Sequence, residues 1–230
     1  GAFDITVAPL VNAWGFGFKH EQMPTKQQVD SLMQLIGMQY VELKDDIITM
    51  KKKGMMLDFS AIAKGYGVDV IAHLLEHHDI KNFMVKIGGE ITTSGINPER
   101  VPWKIGVNKP CEDALNESHE LQTILNVTDK SMATSGNYRN FYIKGGKKYA
   151  HTIDPKTGYP VQHTLLSATV LTDRCAKADA YATSFMVLGM EGAKQILKCH
   201  KDLIAYLIYT NNKGNLAVWY SPSLQDKIVK

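Results

Sequence analysis

The sequence predicts an α+β fold built on a largely antiparallel sheet. Short strand-like runs meet across tight turns, as at Gly145-Gly146 and Asn211-Asn212-Lys213-Gly214, as often as they alternate with helices. The sustained βα alternation of a doubly wound parallel sheet is missing. No linker of disordered composition divides the chain and no internal repeat is visible. All 230 residues are therefore expected to form a single domain.

Taken in order, Phe3–Gly17 reads as a strand and a turn that carry aromatics into the core. Thr25-Lys26-Gln27-Gln28 after Pro24 has the form of a capping box. Val29, Leu32, Met33 and Ile36 follow at helical spacing, and Gly37 ends that helix. Tyr40–Leu43 and Ile47–Met50 read as strands, and the Lys51-Lys52-Lys53-Gly54 cluster as a hairpin tip leading into a strand at Met55–Phe59. A helix is predicted from about Ser60 to Leu75, then a strand at Phe83–Ile87 running into Gly88-Gly89.

The polar, proline-containing stretch Asn97–His119 reads as loops around one strand, Trp103–Val107. Further strands are predicted at Leu121–Val127, Tyr142–Lys144, Lys148–Ile153 and Ser167–Leu171. A helix from about Arg174 to Leu188 stops at Gly189, and Glu191–Cys199 forms a shorter one. A hairpin of Leu203–Tyr209 and Leu216–Tyr220 closes the chain.

Composition narrows the function classes. The chain is 44% hydrophobic and 21% charged, as ordinary globular proteins are. No stretch reaches the run of about 18 apolar residues that a membrane helix needs. Net charge is +3 with the basic residues scattered, which disfavours a nucleic-acid partner. Cys111, Cys175 and Cys199 are an odd, widely spaced set without a C-x-x-C, so neither a zinc site nor a disulfide framework is indicated. The chain opens at Gly1-Ala2-Phe3-Asp4 without an initiator Met, as a processed or trimmed chain does. Absence of a targeting segment therefore carries no weight.

Four segments are richer in Gly, Asp, Thr and Ser than core packing requires. In Phe3–Gly17, Asp4 and Thr6 are polar within an apolar run. In Leu57–Asp69 a small-residue turn enters a helix, whose free N–H groups suit a phosphate with Lys64 alongside. The alternative is a capped helix whose Lys64 and Asp69 face solvent. The glycine spacing there is neither a Walker loop nor a dinucleotide fingerprint. In the third segment, Ala133–Tyr138 is followed by Tyr149–Pro160, where Asp154-Pro155-Lys156-Thr157-Gly158 is a turn signal. His151, just before it, is either a proton acceptor near neutral pH or a structural histidine at a strand end. In the fourth, Asp179 and Thr183 stand four apart and share one helix face. A carboxylate and a hydroxyl there suit a hard cation such as Mg²⁺, against the plainer option of a dipole-favoured Asp and an incidental Thr.

In this order, these segments closely resemble the ApbE family of bacterial FAD:protein FMN transferases. The resemblance runs from Phe3 to Gly189 and rests on F-D-I-T-V-A-P-L-V-N-A-W-G-F-G, D-F-S-A-I-A-K-G-Y-G-V-D, K-I-G-G-E, A-T-S-G-N-Y, H-T-I-D-P-K-T-G-Y-P-V and A-D-A-Y-A-T. It implies a layered α/β/α fold related to the T-fold, with FAD as substrate and Mg²⁺ at its pyrophosphate. Carried over by position, Ala2, Phe3, Asp4, Asp58, Lys64 and Ile153 contact the flavin nucleotide. Asp179 and Thr183 hold the metal with backbone oxygen from Ala61 and Ala182, and His151 is the base for an acceptor hydroxyl. The implied partner is an acceptor protein, a membrane redox subunit with a Thr/Ser flavinylation motif. The implied location is the periplasmic side of the bacterial inner membrane. With water as nucleophile the same site would be an FAD pyrophosphatase, and without turnover a flavin-binding protein. Family members usually carry a further N-terminal stretch, with a lipoprotein signal and residues lining the flavin pocket. Its absence before Gly1 predicts weakened FAD binding.

Overall fold

Residues 1–17, 23–110, 120–138 and 141–229 are described by the structure, a computed structural model. The regular elements begin with α1 (Ala8–Ala13), α2 (Lys26–Met33), β1 (Val41–Lys44), β2 (Ile47–Met50) and α3 (Ala63–His77). Then come β3 (Phe83–Ile87), β4 (Glu90–Ser94), β5 (Trp103–Asn108), β6 (Leu121–Val127), β7 (Lys130–Gly136), β8 (Phe141–Lys144) and β9 (Lys147–Ala150). The last are β10 (Leu165–Thr172), α4 (Cys175–Cys199), β11 (Ile204–Thr210), β12 (Leu216–Tyr220) and β13 (Ile228–Val229). All pairings between these strands are antiparallel, so the α+β class holds. The chain forms two units: Gly1–Phe59 with Asn140–Gln162, and Ser60–Arg139 with His163–Lys230.

In the first unit the expected N-terminal strand is replaced by helical turns. The reason is local: Asp4 Oδ1 accepts both the Thr6 N–H (2.9 Å) and the Thr6 hydroxyl (2.6 Å), capping a 3₁₀ turn at Ile5–Val7 that runs into α1. Thr6 Oγ1 in turn accepts the Gly37 N–H at 2.7 Å, tying this start to the end of α2. The capping box of α2 forms as predicted, with Gln28 N–H donating to Thr25 Oγ1 (3.2 Å) and Thr25 N–H donating to Gln28 Oε1 (2.7 Å). Leu10, Trp14, Val29, Ile36 and Ile153 make the core. The β1–β2 hairpin turns at Asp45 and Asp46, which take left-handed φ of 49° and 61°. The lysine cluster lies beyond β2 rather than at a hairpin tip, and Met55–Phe59 is not a strand. Its Asp58 N–H goes instead to the Ile5 carbonyl at 2.7 Å.

The second unit is organised by a six-stranded sheet in the order β12-β11-β10-β7-β4-β3. Alternation sorts its residues: Ala168, Val170, Ala205 and Leu207 pack with Ala182, Phe185 and Met186 of α4. Leu171, Tyr206 and Ile208 point the other way, onto Ile105, Val107, Leu125 and Val127 of the three-stranded sheet β13-β6-β5. Strands β4 and β7 were not predicted. Thr92 and Ser131 pair across them, hydroxyl to hydroxyl, at 2.8 Å. The α4 span is two helices meeting at Gly189 (φ 70°, ψ −173°), the stop expected from sequence. Helix α3 begins at Ala63, three residues later than predicted. It packs on α4 so closely that a Cβ on Gly65 would lie 2.5 Å from the Cys175 carbonyl oxygen.

Candidate active site

Helix α3 starts without a side-chain cap. Its first turn leaves donors that need partners, and one of them is met from the neighbouring helix. Asp179 of α4 accepts the Gly65 N–H on Oδ2 at 3.1 Å. The carboxylate is therefore at a helix N-terminus, but that of α3 and not its own. It is 3% exposed. Burial pushes its pKa up from 3.8 to about 6, opposed by the Lys64 charge and the Gly65 N–H and reinforced by Glu90. One turn on, the Thr183 hydroxyl lies 3.1 Å from that of Ser135 on β7.

The alternative in which Lys64 and Asp69 both face solvent holds for Lys64 alone, whose side chain is exposed, while Asp69 is buried. Lys64 Nζ stands 2.7 Å from Glu90 Oε1 at the start of β4. Asp69 is buried and caps α4, taking the Cys175 N–H on Oδ1 (2.7 Å) and the Ala176 N–H on Oδ2 (3.0 Å). Arg174 Nε lies 3.8 Å from the same carboxylate. Cys175 sits among these acids; burial, then the charges of Asp69, Asp179 and Glu90, push its thiol up to about 12. It is an inert buried thiol at neutral pH. Cys111 lies outside the described residues.

Of the other candidate metal positions, Ala61 lies in the turn before α3 and is partly exposed. Ala182 is fully buried against the sheet, where a mid-helix carbonyl already accepts an intrahelical bond. Among the described residues no three His, Cys, Asp or Glu side chains stand together as a metal-holding group. The donors present fit Mg²⁺ nonetheless. They are hard oxygens, including the buried Glu90 Oε2, which has no hydrogen-bond partner. Mg²⁺ is commonly bound by one or two carboxylates with water and substrate phosphate completing the shell.

The remaining candidates lie in the first unit. Ala2, Phe3 and Asp4 are half-buried, with Asp4 committed to the cap described above. Asp58 is half-buried in the irregular segment that follows β2. Ile153 is a core residue bridged to Pro160. The predicted turn at Asp154–Gly158 forms, with the Gly158 N–H on the Asp154 carbonyl (2.8 Å) and Gly158 at φ 79°. Trp14 Nε1 donates to the Gly158 carbonyl at 2.8 Å, fixing the turn to α1. His151 is partly exposed and meets the Phe16 ring edge-on, with centroids 6.4 Å apart. Phe16 stacks on Tyr142, Tyr142 on Tyr149 and Tyr149 on Trp14. Sequence reading missed this aromatic series because its members come from the turn that follows α1 and from the β8–β9 hairpin, far apart in the chain. Glu90 and Ser135 were also missed as site residues. Both sat inside quoted motifs, K-I-G-G-E and A-T-S-G-N-Y, which was the available signal.

These features define a class, an antiparallel α+β protein with two buried carboxylates and a lysine at an open helix start. The chain belongs to the ApbE family, whose pattern matches residues 1–208. It is 34% identical over 235 residues to the FAD:protein FMN transferase of Escherichia coli K12, covering 100% of this chain and 65% of that protein. The FAD:protein FMN transferase of Vibrio cholerae serotype O1 is 37% identical over 214 residues, covering 92% of this chain and 63% of its own length. Among solved structures, the flavin transferase ApbE from Vibrio cholerae superposes with a TM-score of 0.85 at 34% identity, over 99% of this chain and 71% of that one. The apo flavinyl transferase ApbE of Pseudomonas stutzeri gives 0.85 at 30% identity, over 99% and 69%. The chain thus spans just under two thirds of the curated relatives' length.

Proposed function

We propose that this chain carries the transfer centre of an FAD:protein FMN transferase, which moves FMN from FAD to a Thr or Ser hydroxyl of an acceptor protein and releases AMP. The observation that carries this reading is Asp179, a buried carboxylate set at the uncapped start of α3 with Lys64 close enough to act on its charge. Mg²⁺ would be held by Asp179 and Thr183, with backbone oxygen from Ala61 and Ala182, and would neutralise charge at the pyrophosphate. Lys64 adds a positive charge and the α3 start adds N–H dipoles for the same phosphates. Ala2, Phe3, Asp4, Asp58 and Ile153 are assigned to the nucleotide by position. His151 takes the acceptor hydroxyl proton as the new P–O bond forms and the P–O bond to AMP breaks.

The acceptor proposed is a membrane redox subunit, and the place of action the periplasmic side of the bacterial inner membrane, both on the strength of family membership. No helix among the described residues is long and apolar enough to cross a membrane. Chromatography of FAD incubated with the protein and an acceptor peptide tests the proposal. AMP should appear only with Mg²⁺, and Asp179→Ala should slow its release by on the order of 100-fold. Undiminished release from that variant would remove the metal assignment. Free FMN in place of modified peptide would make the protein a pyrophosphatase, and intact bound FAD a binding protein.

A further inference from the structure

We propose that Glu90 is a positioning residue of this site, a buried anchor that fixes where Lys64 presents its charge. Glu90 opens β4, and its side chain is 5% exposed where that of Lys64 is 45% exposed. The ion pair is therefore lopsided, with a carboxylate in the interior holding a lysine whose stem reaches outward. Nζ lies 2.7 Å from Oε1, which uses one of the three ammonium donors. The Lys64 charge is also felt at Asp179, and so is that of Glu90.

Two further observations set Glu90 apart from a carboxylate that only packs. Its second oxygen, Oε2, is buried with no hydrogen-bond partner, a state that structures rarely tolerate without a use. The Gly88-Gly89 turn is also shaped to the pair. Gly88 has φ of 66°, and a Cβ there would lie 2.9 Å from Lys64 Cδ and 3.3 Å from Glu90 Oε2. A side chain at position 88 would displace the lysine stem. Free lysine stems sample many rotamers, and an anchored one meets a diphosphate with less ordering left to do.

The ligand in this inference rests on the transferase reading, so the test has one arm with FAD and one without. In the first, FAD affinity is measured with Mg²⁺ for the full chain and for Glu90→Gln, Lys64→Met and the double variant. Each single change should weaken binding about tenfold, and the double should be no weaker than Lys64→Met alone. Full affinity in Glu90→Gln, or losses that add in the double variant, would overturn the proposal. In the second arm, ligand-free protein is labelled with acetic anhydride and the Lys64 peptide is followed by mass spectrometry. Labelling should quicken about threefold in Glu90→Gln as the shielding partner is lost. An unchanged rate overturns the anchoring role. Wild-type protein that fails to bind FAD, together with faster Lys64 labelling in Glu90→Gln, would retain the anchor and sink the transferase reading. Glu90→Asp, which keeps the charge but draws back from Lys64, replaces the Gln variant if that does not fold.

Discussion

Asp179 is ionised at neutral pH only against the resistance of its surroundings. With its pKa raised from 3.8 to about 6, the charged form is disfavoured in the folded chain. That cost is present above pH 6 and fades as pH falls through 6 towards 3.8, at most roughly 2–3 kcal/mol. Asp179→Asn keeps an oxygen for the Gly65 N–H and removes the buried charge. Metal-free Asn variant should therefore melt a few degrees above wild type at pH 7.5 by circular dichroism, while losing Mg²⁺-dependent AMP release. A lower melting temperature would show that the charge is already compensated. At this scale the sequence revealed Asp179 and Thr183 as face-sharing neighbours, because four residues make one helical turn. Glu90 and Asp69 were not legible as partners: the first meets Lys64 across 26 residues and the second meets Cys175 across 106.

Between elements, the α3–α4 packing decides whether the site exists. Asp69 satisfies two N–H groups of α4 from α3, so Asp69→Ala should cost about 2–4 kcal/mol in urea denaturation, more than an exposed cap would. Gly65 allows the close approach, and Gly65→Ala drives a methyl towards backbone atoms of Cys175 and Ala176. About 1–3 kcal/mol of stability should be lost, with AMP release falling too as Asp179 is shifted from the α3 start. The α2 capping box and the Gly189 break were readable because their causes are local. Met55–Phe59 was apolar enough for a strand but finds no strand partner. Strands β4 and β7 do pair with each other, across residues 37–41 positions apart that no local pattern announces.

Across the chain, protection should follow the sheets. Amide exchange is expected to be slowest in β10 and β11, whose inner residues are fully buried, and fastest in the β1–β2 hairpin, where Leu43, Ile47 and Ile48 are exposed. Equal rates in the two would contradict the arrangement. The same burial shields Cys175, so iodoacetamide at pH 8 should label exposed Cys199 and spare Cys175 until denaturant is added. The antiparallel α+β class was legible from hairpin turns, and family membership from motifs in register. The division into two units was not, since no composition change marks it. The central claim concerns FMN leaving FAD for a hydroxyl. It is tested most directly by a mass spectrum of an acceptor protein with a Thr/Ser flavinylation motif after incubation with this chain, FAD and Mg²⁺. The account predicts an acceptor heavier by FMN less one water, carried on that Thr or Ser, and an acceptor of unchanged mass would contradict it.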